Sequence, residues 1–236
     1  MIRQAIILAA GKGKRMKQGT TDPAVLNTPK PLLELDGKPI IARTVETLIK
    51  NGLDVVIVID PKDEALFREK LKKYKVRYAF QLHGKGTAAA LAAAKDLVKD
   101  ELFLVMMGDD ITSIALEKYM DSNEPGVFCF QVNDVSGYGA AVLDEEGNVE
   151  EIIEKKKSGP GLANTGTYIM HSKFFDIYSK IPLDEKSQEY FLTESVKLLR
   201  ELGIKFKAYD VAFWFGINTP EQLSKGRELV RRGEGG

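Results

Sequence analysis

The chain has 236 residues, with 34 Lys and Arg against 34 Asp and Glu, and 44% of its residues are hydrophobic. This composition is typical of a globular protein with one large domain or two small ones. Because binding to nucleic acid through overall charge requires many uncompensated basic residues, the formal neutrality of the chain argues against a nucleic-acid partner.

Cysteine and histidine are scarce, since the chain contains only Cys129, His83 and His171. An internal disulfide and a Cys-rich zinc site are therefore excluded, and a His-based metal cluster nearly so. Cys129 lies in the apolar run 127–130, which predicts a buried strand residue and not a nucleophile. Carboxylates, Lys and Arg must carry any chemistry, and the scarcity of Cys is typical of a reducing compartment.

No apolar stretch reaches the length of a membrane span, and a loop rich in Gly and Lys follows the apolar first ten residues at once. We therefore expect a cytoplasmic protein with no membrane partner. The sequence gives no indication of the oligomeric state.

Four short apolar runs in the first half predict buried strands, at 6–8, 55–59, 76–80 and 102–106. Amphipathic patterns between them predict a helix that begins at Pro39 and ends at Asn51-Gly52, a second from Pro61, and a third over 87–98. Strands that alternate with helices predict a doubly wound α/β sheet. In such sheets ligands bind at the carboxyl ends of the strands.

From Gly126 the pattern becomes strand-rich, with predicted strands at 127–132, 140–143, 149–153, 167–170 and 205–209. The turn between the second and third of these strands predicts an antiparallel excursion from the sheet. Helices are predicted near 174–179, through 192–202 and after Thr219-Pro220. Trp214, between Phe213 and Phe215, is predicted to lie in the core. Since no stretch has the composition of a linker, we expect one continuous domain over 1–236.

The loop after the first predicted strand is rich in small residues. Ala10, Gly11 and Gly13 let the backbone approach a ligand closely, and its amides can point at phosphate oxygens. The dinucleotide fingerprint fails because Met16 stands where a third Gly is required, and the Walker pattern fails because no Gly-Lys-Ser/Thr is present. A plain glycine turn with solvated basic residues is the competing interpretation.

Charge placement favours phosphate binding over a plain turn. Residues 1–50 hold nine Lys and Arg against four Asp and Glu, so this segment carries +5 and the remaining residues carry −5. Arg15 and Lys30 are the two basic residues that we expect to supply fixed positive charge to a polyphosphate.

A pair of carboxylates, Asp109 and Asp110, comes directly after the fourth predicted strand and beside Gly108. Hard oxygen ligands in small number, completed by phosphate oxygens, are typical of a Mg²⁺ site. The alternative is an Asp-Asp turn that caps a following helix. The first loop and this one should open on the same edge of the sheet, which favours the metal site.

A third candidate segment follows the third predicted strand. Gln81 can pair with a nucleobase edge through donor and acceptor together, and backbone groups around Gly86 can reach another edge of the base. Thr87 is alternatively only the N-cap of the next helix.

These residues resemble the sugar-1-phosphate nucleotidylyltransferases, also called nucleoside-diphosphate-sugar pyrophosphorylases. Two segments look like the opening signature of that family: Leu8-Ala9-Ala10-Gly11-x-Gly13-x-Arg15-Met16 and Pro29-Lys30-Pro31-Leu32-Leu33. Five later segments, most similar to the uridylyltransferase domain of bacterial UDP-N-acetylglucosamine pyrophosphorylases, extend the resemblance over nearly the whole chain: Gly137-Tyr138-Gly139, Glu154-Lys155, Asn164-Thr165-Gly166, Glu189-Tyr190-Phe191-Leu192-Thr193 and Gly216-Ile217-Asn218-Thr219.

The resemblance implies a Rossmann-like mixed sheet, the GT-A-like nucleotidyltransferase fold, with a nucleotide-binding half over about 1–125 and a sugar-binding half over about 126–236. The second half contains the antiparallel excursion. The implied site residues are catalytic Arg15 and Lys30; nucleotide-binding Leu8, Ala10, Gly11, Gly13, Gln81, Gly86 and Thr87; sugar-binding Gly139, Glu154 and Asn164; and Mg²⁺ ligands Asp109 and Asn218.

Departures from the pattern leave the two substrates open. Lys14 stands where Thr or Ser is usual, Ala140 where the uridylyl branch has Arg, and Gly216 where the thymidylyl branch has a second metal-binding Asp. UTP or dTTP is favoured as the nucleotide, and N-acetylglucosamine- or glucose-1-phosphate as the sugar. Lys155 is a further candidate contact to the sugar phosphate, and a metal-binding role of Asp110 is left open.

The implied reaction is Mg²⁺-assisted in-line attack of a sugar-1-phosphate oxygen on the α-phosphorus of a nucleoside triphosphate, with release of pyrophosphate. It requires neither Cys nor His, because the attacking phosphate is already ionised. Two alternatives remain: a metal-dependent glycosyltransferase that uses a nucleotide sugar, and a catalytically silent subunit that only binds one.

Overall fold

The computed structural model of this protein describes residues 1–154 and 158–234. The candidate contact Lys155 lies outside the described residues. The helices are α1 Lys14–Gln18, α2 Pro23–Leu26, α3 Ile40–Lys50, α4 Glu64–Lys70, α5 Thr87–Ala92, α6 Phe174–Ile177, α7 Glu194–Glu201 and α8 Pro220–Arg231.

The strands in chain order are β1 Gln4–Leu8, β2 Glu34–Leu35, β3 Lys38–Pro39, β4 Asp54–Ile59, β5 Val76–Phe80, β6 Leu102–Met107, β7 Asp110–Ser113, β8 Gly126–Val132, β9 Gly139–Leu143, β10 Asn148–Glu154, β11 Gly161–His171, β12 Leu183–Asp184, β13 Glu189–Tyr190, β14 Phe206–Asp210 and β15 Phe213–Gly216. Every strand predicted from the sequence is present. The alternation of strands and helices in the first half is confirmed.

One sheet runs through both halves of the chain, in the order β5-β4-β1-β6-β11-β8-β14-β10-β9. The first four strands are parallel to one another, and β11 then joins β6 antiparallel. The expected mixed α/β sheet is therefore confirmed. Strands β1, β4 and β6 are buried almost throughout, as parallel strands covered on both faces must be.

Helix α3 shows how the sequence pattern places a helix against this sheet. Its apolar residues Ile41, Val45 and Leu48 recur at helical spacing and are fully buried together with strand residues of β1 and β4. The helix ends at Lys50, just before the Asn51-Gly52 predicted to close it, and Gly52 has a φ of +79°.

The strands of the predicted antiparallel excursion form a closed group, because its last strand in the sheet, β9, pairs back with β11. Strand β11 pairs with β8, β8 with β14, β14 with β10, β10 with β9, and residues 162 and 163 of β11 pair back with β9. Strand β11 can serve both β6 and β9 because it has 11 residues, far more than the predicted 167–170. A bulge between Asn164 and Thr167 divides its two parts.

Two other predictions need correction. The helix predicted over 87–98 ends at Ala92, and a 3₁₀ turn at Lys95–Leu97 follows. The buried side chain of Gln4 holds the segment after this helix, because its side-chain nitrogen donates to the Leu97 carbonyl at 3.1 Å and its side-chain oxygen accepts from the Lys99 backbone amide at 2.6 Å. Residues 110–113 form strand β7 paired with β15, and not a helix that Asp109-Asp110 would cap.

Within residues 1–154 and 158–234, the longest helices are too short and too polar to cross a lipid bilayer.

Gly166 lies at the bulge of β11 with a φ of +77°, and a Cβ there would lie 2.6 Å from Cγ of Met107 at the end of β6. We expect Gly166→Ala to lower the free energy of unfolding by more than about 1 kcal/mol, measured by urea denaturation. Gly147→Ala is the matched control, because Gly147 has a similar φ of +79° but open space around it. Equal losses in the two variants would show that the contact with Met107 does not matter.

Candidate active site

The loops after β1 and β6 lie side by side at one edge of the sheet. Leu8 and Met107 are partners in the parallel pairing of these strands, and the Gly108 amide donates to the Leu8 carbonyl at 3.0 Å. A Cβ on Gly108 would lie 3.2 Å from both the Leu8 oxygen and the Ala9 Cβ, so a larger residue would force these neighbours to shift by a few tenths of an ångström. The prediction that the two loops open on the same edge is confirmed.

Four of the predicted residues converge at this edge. The Lys30 ammonium forms an ion pair with Asp109 Oδ2 and donates to Asn218 Oδ1 at 3.0 Å. The Arg15 guanidinium donates to the same Asn218 oxygen at 3.1 Å. The two predicted phosphate-binding cations and the two predicted metal ligands therefore form one cluster.

Local structure holds each member of the cluster in place. Lys30 begins a 3₁₀ turn between two prolines, and its side chain is only 10% exposed. Gly13, in a left-handed conformation, lies so close that a Cβ there would be 3.3 Å from the Lys30 Cβ. Asn218 precedes helix α8, and its backbone amide donates to Gln222 Oε1 of that helix at 2.8 Å.

Asp110 lies beside the cluster at the start of β7. Its Oδ2 accepts a hydrogen bond from the Trp214 indole at 3.0 Å. Burial, and next the charge of Asp109, raise the pKa of Asp110 to about 7, although the Trp214 hydrogen bond and the charge of Lys30 act in the opposite direction. Its strand partner is Gly216, and a Cβ there would lie 3.5 Å from Asp110 Oδ1 and 3.2 Å from Asn218 Nδ2.

The remaining loop residues differ in how much they can offer a ligand. The Leu8 side chain is buried and its carbonyl is taken by Gly108, so Leu8 fixes the loop through its backbone. Ala10 is partly exposed. Gly11 is exposed, and a Cβ there would have no neighbour within 4 Å, so nothing in the protein itself requires glycine at this position.

The candidate base-binding residues lie at the end of β5, two strands away from β1. The Gln81 amide donates to the Gly86 carbonyl at 3.3 Å. Gly86 has a φ of +91°, and a Cβ there would lie 2.5 Å from the Tyr190 carbonyl oxygen. Gly86 and not Thr87 is the N-cap of α5, so the alternative role of Thr87 as a cap is wrong. Thr87 Oγ1 instead accepts from the Leu192 amide at 2.9 Å.

The three predicted sugar-binding residues lie in the closed group of strands. Gly139 and Glu154 are partners in the β9–β10 pairing, and a Cβ on Gly139 would lie 3.2 Å from Glu154 Oε1. Asn164 lies at the bulge of β11, and its amide donates to the Tyr168 hydroxyl at 2.7 Å. Since β11 runs antiparallel to β6, this bulge lies next to Met107 and hence beside the loop of Asp109.

The oxygens around Lys30 fit a divalent cation. Asp109 and Asn218 together present a carboxylate and a carboxamide oxygen to one ammonium group, and Mg²⁺ in phosphate-binding sites takes few protein oxygens and completes its shell with phosphate and water. In the described part of the chain, no three His, Cys, Asp or Glu side chains form a cluster suited to a metal ion. The donor set therefore fits a cation that arrives with a phosphate ligand, and not a metal held by the protein alone.

Trp214 packs against the edge of the core, close to the prediction, and it also takes part in the candidate site, which the sequence did not indicate. It is half-buried, and the Tyr138 ring packs edge-on against its indole with 5.0 Å between ring centroids. Trp214 thus connects Asp110 to the segment that precedes Gly139. The pairing of β15 with β7 places Trp214 beside Asp110, and no local sequence pattern predicts that pairing. Cys129, by contrast, is buried in β8 as predicted, and burial raises its pKa to about 12.

Comparison with known proteins assigns a family. The sequence profile of the family described as nucleotidyl transferase matches residues 4–230. A bifunctional protein GlmU of Methanocaldococcus jannaschii is 32% identical over 96% of this chain. The UTP–glucose-1-phosphate uridylyltransferase AglF of Haloferax volcanii is 30% identical over 97% of this chain and 96% of its own length.

The chain spans about half the length of the GlmU relatives, 54% for the M. jannaschii protein. Among solved structures, a putative glucose-1-phosphate thymidylyltransferase of Bacillus anthracis in complex with sucrose superposes with a TM-score of 0.80 at 25% identity. That similarity covers 97% of this chain and 95% of the other. It supports the mixed α/β nucleotidyltransferase fold.

The hydrogen bond from the Leu192 amide to Thr87 ties α5 to the segment before α7. We expect Thr87→Val, which removes the acceptor at constant shape, to cost about 1–3 kcal/mol in the free energy of unfolding, because a partly buried amide loses its partner. Thr87→Ser, which keeps the hydroxyl, is the control. Chemical denaturation of both variants measures the difference, and an equal loss in Ser and Val would contradict the role of the hydroxyl.

Proposed function

The chain belongs to the nucleotidyl transferase family, and we propose that it transfers a nucleotidyl group from a nucleoside triphosphate to a sugar 1-phosphate. The convergence of Arg15 and Lys30 on the oxygens of Asp109 and Asn218 is the observation that carries this proposal. Two fixed cations and two hard oxygens at the carboxyl edge of a parallel sheet match what phosphoryl chemistry requires.

The proposed step is an in-line displacement. An oxygen of the sugar phosphate forms a bond to the α-phosphorus of the triphosphate, and the bond from that phosphorus to the bridging oxygen of the β-phosphate breaks. The electron pair leaves with pyrophosphate. Because both phosphates are ionised at neutral pH, no protein base is needed, and catalysis consists of positioning and charge stabilisation.

Arg15 and Lys30 differ in what they can contribute. The guanidinium of Arg15 suits two-point contact with phosphate oxygens, whereas the ammonium of Lys30 acts as a compact charge. Both cations lie within hydrogen-bond distance of Asn218 Oδ1, so a phosphate that meets one of them also lies near the other. We assign them to the charge that develops on the α-phosphate and on the departing pyrophosphate.

Asp109 and Asn218 would hold Mg²⁺, which when bound neutralises phosphate charge and orients the reacting oxygens. In the structure, the ammonium of Lys30 sits against both ligand oxygens. Lys30 must therefore release these oxygens when it turns to the phosphates. Asp110 is a neighbour of these ligands, held by Trp214, and its part in metal binding stays open.

The base and the sugar are assigned to opposite sides of the phosphate cluster. Gln81 and the backbone at Gly86 lie toward the β5 side and, with Thr87, are proposed to bind the base. Ala10, Gly11 and Gly13 are proposed to lie along the triphosphate. On the β11 side, Gly139, Glu154 and Asn164 are proposed to bind the sugar. A cytoplasmic location and one domain over 1–236 stay predictions from the sequence.

The similarity to AglF favours UTP and glucose-1-phosphate, since those substrates are in its name, and the resemblance to the uridylyl branch favours UTP with N-acetylglucosamine-1-phosphate. dTTP remains a candidate through the thymidylyltransferase neighbour. A panel that crosses UTP, dTTP, CTP, ATP and GTP with glucose-, N-acetylglucosamine- and mannose-1-phosphate, read by pyrophosphate release, decides among them. Sugar transfer from a nucleotide sugar without pyrophosphate release, or binding without turnover, would contradict the proposed reaction.

We expect Lys30→Ala and Asp109→Ala each to reduce turnover by on the order of 10²-fold or more, measured by pyrophosphate release, because the first removes a cation proposed to meet the phosphates and the second removes a proposed Mg²⁺ ligand. The matched controls are Lys50→Ala and Asp121→Ala, which change exposed residues away from the cluster. Since Lys30 and Asp109 form a largely buried pair, thermal denaturation must first show that both variants are folded at the assay temperature. Full pyrophosphate release by both variants would refute the site.

Gln81→Ala is expected to reduce the preference among nucleoside triphosphates while sugar 1-phosphate discrimination is unchanged, because an amide can satisfy the donor and acceptor of a base edge at once. The measurement is kcat/KM for UTP, dTTP and CTP with one sugar phosphate. Asn123→Ala, at an exposed amide beside Met1 and Leu102 at the opposite edge of the sheet, is the control. Unaltered discrimination in Gln81→Ala would remove this residue from base recognition.

A further inference from the structure

Tyr168 is a buried tyrosine of β11 to which the proposed reaction gives no role. It is only 1% exposed, and it packs in a core cluster with Cys129 of β8 and Ile152 of β10. A hydroxyl group that is shielded from water in this way needs partners within the protein, because an unpaired polar group is costly to bury. The partners of this hydroxyl lie among the residues proposed to bind the sugar.

Asn164 is the first of these partners. Its side-chain nitrogen Nδ2 donates to the Tyr168 hydroxyl at 2.7 Å, and its Oδ1 accepts from the backbone amide of Gly166 at 3.0 Å. Because a backbone amide can only donate, the end of the carboxamide that faces Gly166 must be the oxygen, and the end that faces Tyr168 the nitrogen. The carboxamide is therefore held at both ends, with one N–H and one lone pair of Oδ1 left for a ligand.

The bulge of β11 places these two side chains against each other. It separates Asn164 from Thr167 in the pairing with β8. The buried hydroxyl of Thr165 donates to the Phe128 carbonyl at 2.8 Å and accepts from the Thr167 amide at 3.3 Å. Since the bulge has hydrogen bonds of its own, the backbone of Asn164 is in place before a ligand binds.

Glu154 lies on the same face of the sheet as Tyr168. Alternate residues of a strand share a face, and Ile152, two residues before Glu154 on β10, belongs to the core cluster of Tyr168. A Cβ on Gly139 would lie 2.9 Å from Ile152 Cγ2 and 3.2 Å from Glu154 Oε1, so both side chains reach the same glycine. Burial raises the pKa of Tyr168, as does the charge of Glu154, although the hydrogen bond from Asn164 acts in the opposite direction. The hydroxyl therefore keeps its proton and can donate it toward this carboxylate.

We propose that Tyr168 is a positioning residue for the sugar of the sugar 1-phosphate. Its hydroxyl accepts from Asn164 and donates toward Glu154, and it thereby fixes an N–H donor and a carboxylate acceptor side by side. A donor beside an acceptor matches the polar substituents of a sugar ring, since a hydroxyl group can both donate and accept. The inference rests on the proposed function for the assignment of Asn164 and Glu154 to the sugar, and it adds the residue that orients them.

The kinetic test is Tyr168→Phe, which removes the hydroxyl and keeps the ring in the core. Because the Asn164 carboxamide is then free to rotate, we expect the KM for the sugar 1-phosphate to rise about 10-fold, while the KM for the nucleoside triphosphate changes by less than about 2-fold. Pyrophosphate release measures both constants. Tyr209→Phe is the matched control, because the Tyr209 hydroxyl lies 3.3 Å from Ser122 Oγ and its ring packs on Phe128 on the other face of the sheet.

A double-mutant cycle separates orientation from a general loss of packing. Asn164→Ala removes a side chain that Tyr168 orients, so adding Tyr168→Phe to it should raise the KM for the sugar 1-phosphate by less than about 3-fold. Equal effects of Tyr168→Phe in the two backgrounds would show that the hydroxyl does not act through Asn164, which overturns the proposal. Circular dichroism and the melting temperature verify that each variant is folded at the assay temperature.

Binding without turnover gives a second readout. We expect Tyr168→Phe to bind UDP-glucose about 10-fold more weakly than the wild type does, with unchanged affinity for UDP, which lacks the sugar. Isothermal titration calorimetry with the two ligands measures the difference. Equal weakening of UDP and UDP-glucose binding would assign the effect to a general disturbance of the site, and unchanged binding of UDP-glucose would remove the orienting role. Either result overturns the proposal.

Failure of this inference and failure of the proposed function give different results. A wild type that releases pyrophosphate, with an unchanged KM for the sugar 1-phosphate in Tyr168→Phe, refutes the role of Tyr168 alone. A wild type that releases no pyrophosphate but binds UDP-glucose more tightly than UDP refutes the proposed reaction and keeps the binding test of Tyr168. A wild type that does neither has no sugar contacts for Tyr168 to orient, which overturns this inference as well.

Discussion

The ion pair between Lys30 and Asp109 is the constraint around which the candidate site is built. Lys30 is almost buried, and a buried charge is tolerated only where a partner and hydrogen bonds compensate for lost water. Its partner follows β6, its hydrogen-bond acceptor precedes α8, and Gly13 packs against its stem. Segments from both halves of the chain are therefore held to one ammonium group, and the parallel pairing of β1 with β6 sets the position at which they meet.

The same arrangement gives the unliganded site an internal balance of charge. The cations proposed for phosphate and the oxygens proposed for the metal satisfy one another, with Asn218 Oδ1 shared between Arg15 and Lys30. A phosphate with its cation would exchange partners with this set and would leave no buried charge uncompensated. The negative charge of Asp110 is less well compensated. Burial, and next the charge of Asp109, raise its pKa to about 7 despite the hydrogen bond from Trp214.

Local pattern in the sequence was enough to predict the strands and most of the helices, while the set of residues that meet at the candidate site, Asn218 above all, was predicted from the family resemblance. Apolar runs predicted β1, β4 and β6, and the rule that ligands bind at carboxyl ends predicted that the loops after β1 and β6 lie together. Lys30 was predicted from the placement of charge and from the family resemblance. Contacts between distant segments could not be read in this way. Two such contacts are the pairing of β7 with β15, which places Trp214 on Asp110, and the hydrogen bonds of Gln4 to the segment after α5.

The closed group of strands, in which β9 pairs back with β11, also affects the tendency of the molecule to associate with other chains. Because β9 pairs back with β11, β5 is the one strand of the nine-stranded sheet that pairs with a single other strand in the described part of the chain. An open strand edge is a template for pairing with another chain, and charges along it oppose such pairing. Strand β5 is five residues long and carries Arg77, and Lys72, Lys73 and Lys75 precede it. Basic residues in and just before β5 thus oppose pairing of this end strand with another chain, whereas the three two-stranded sheets have edges of their own.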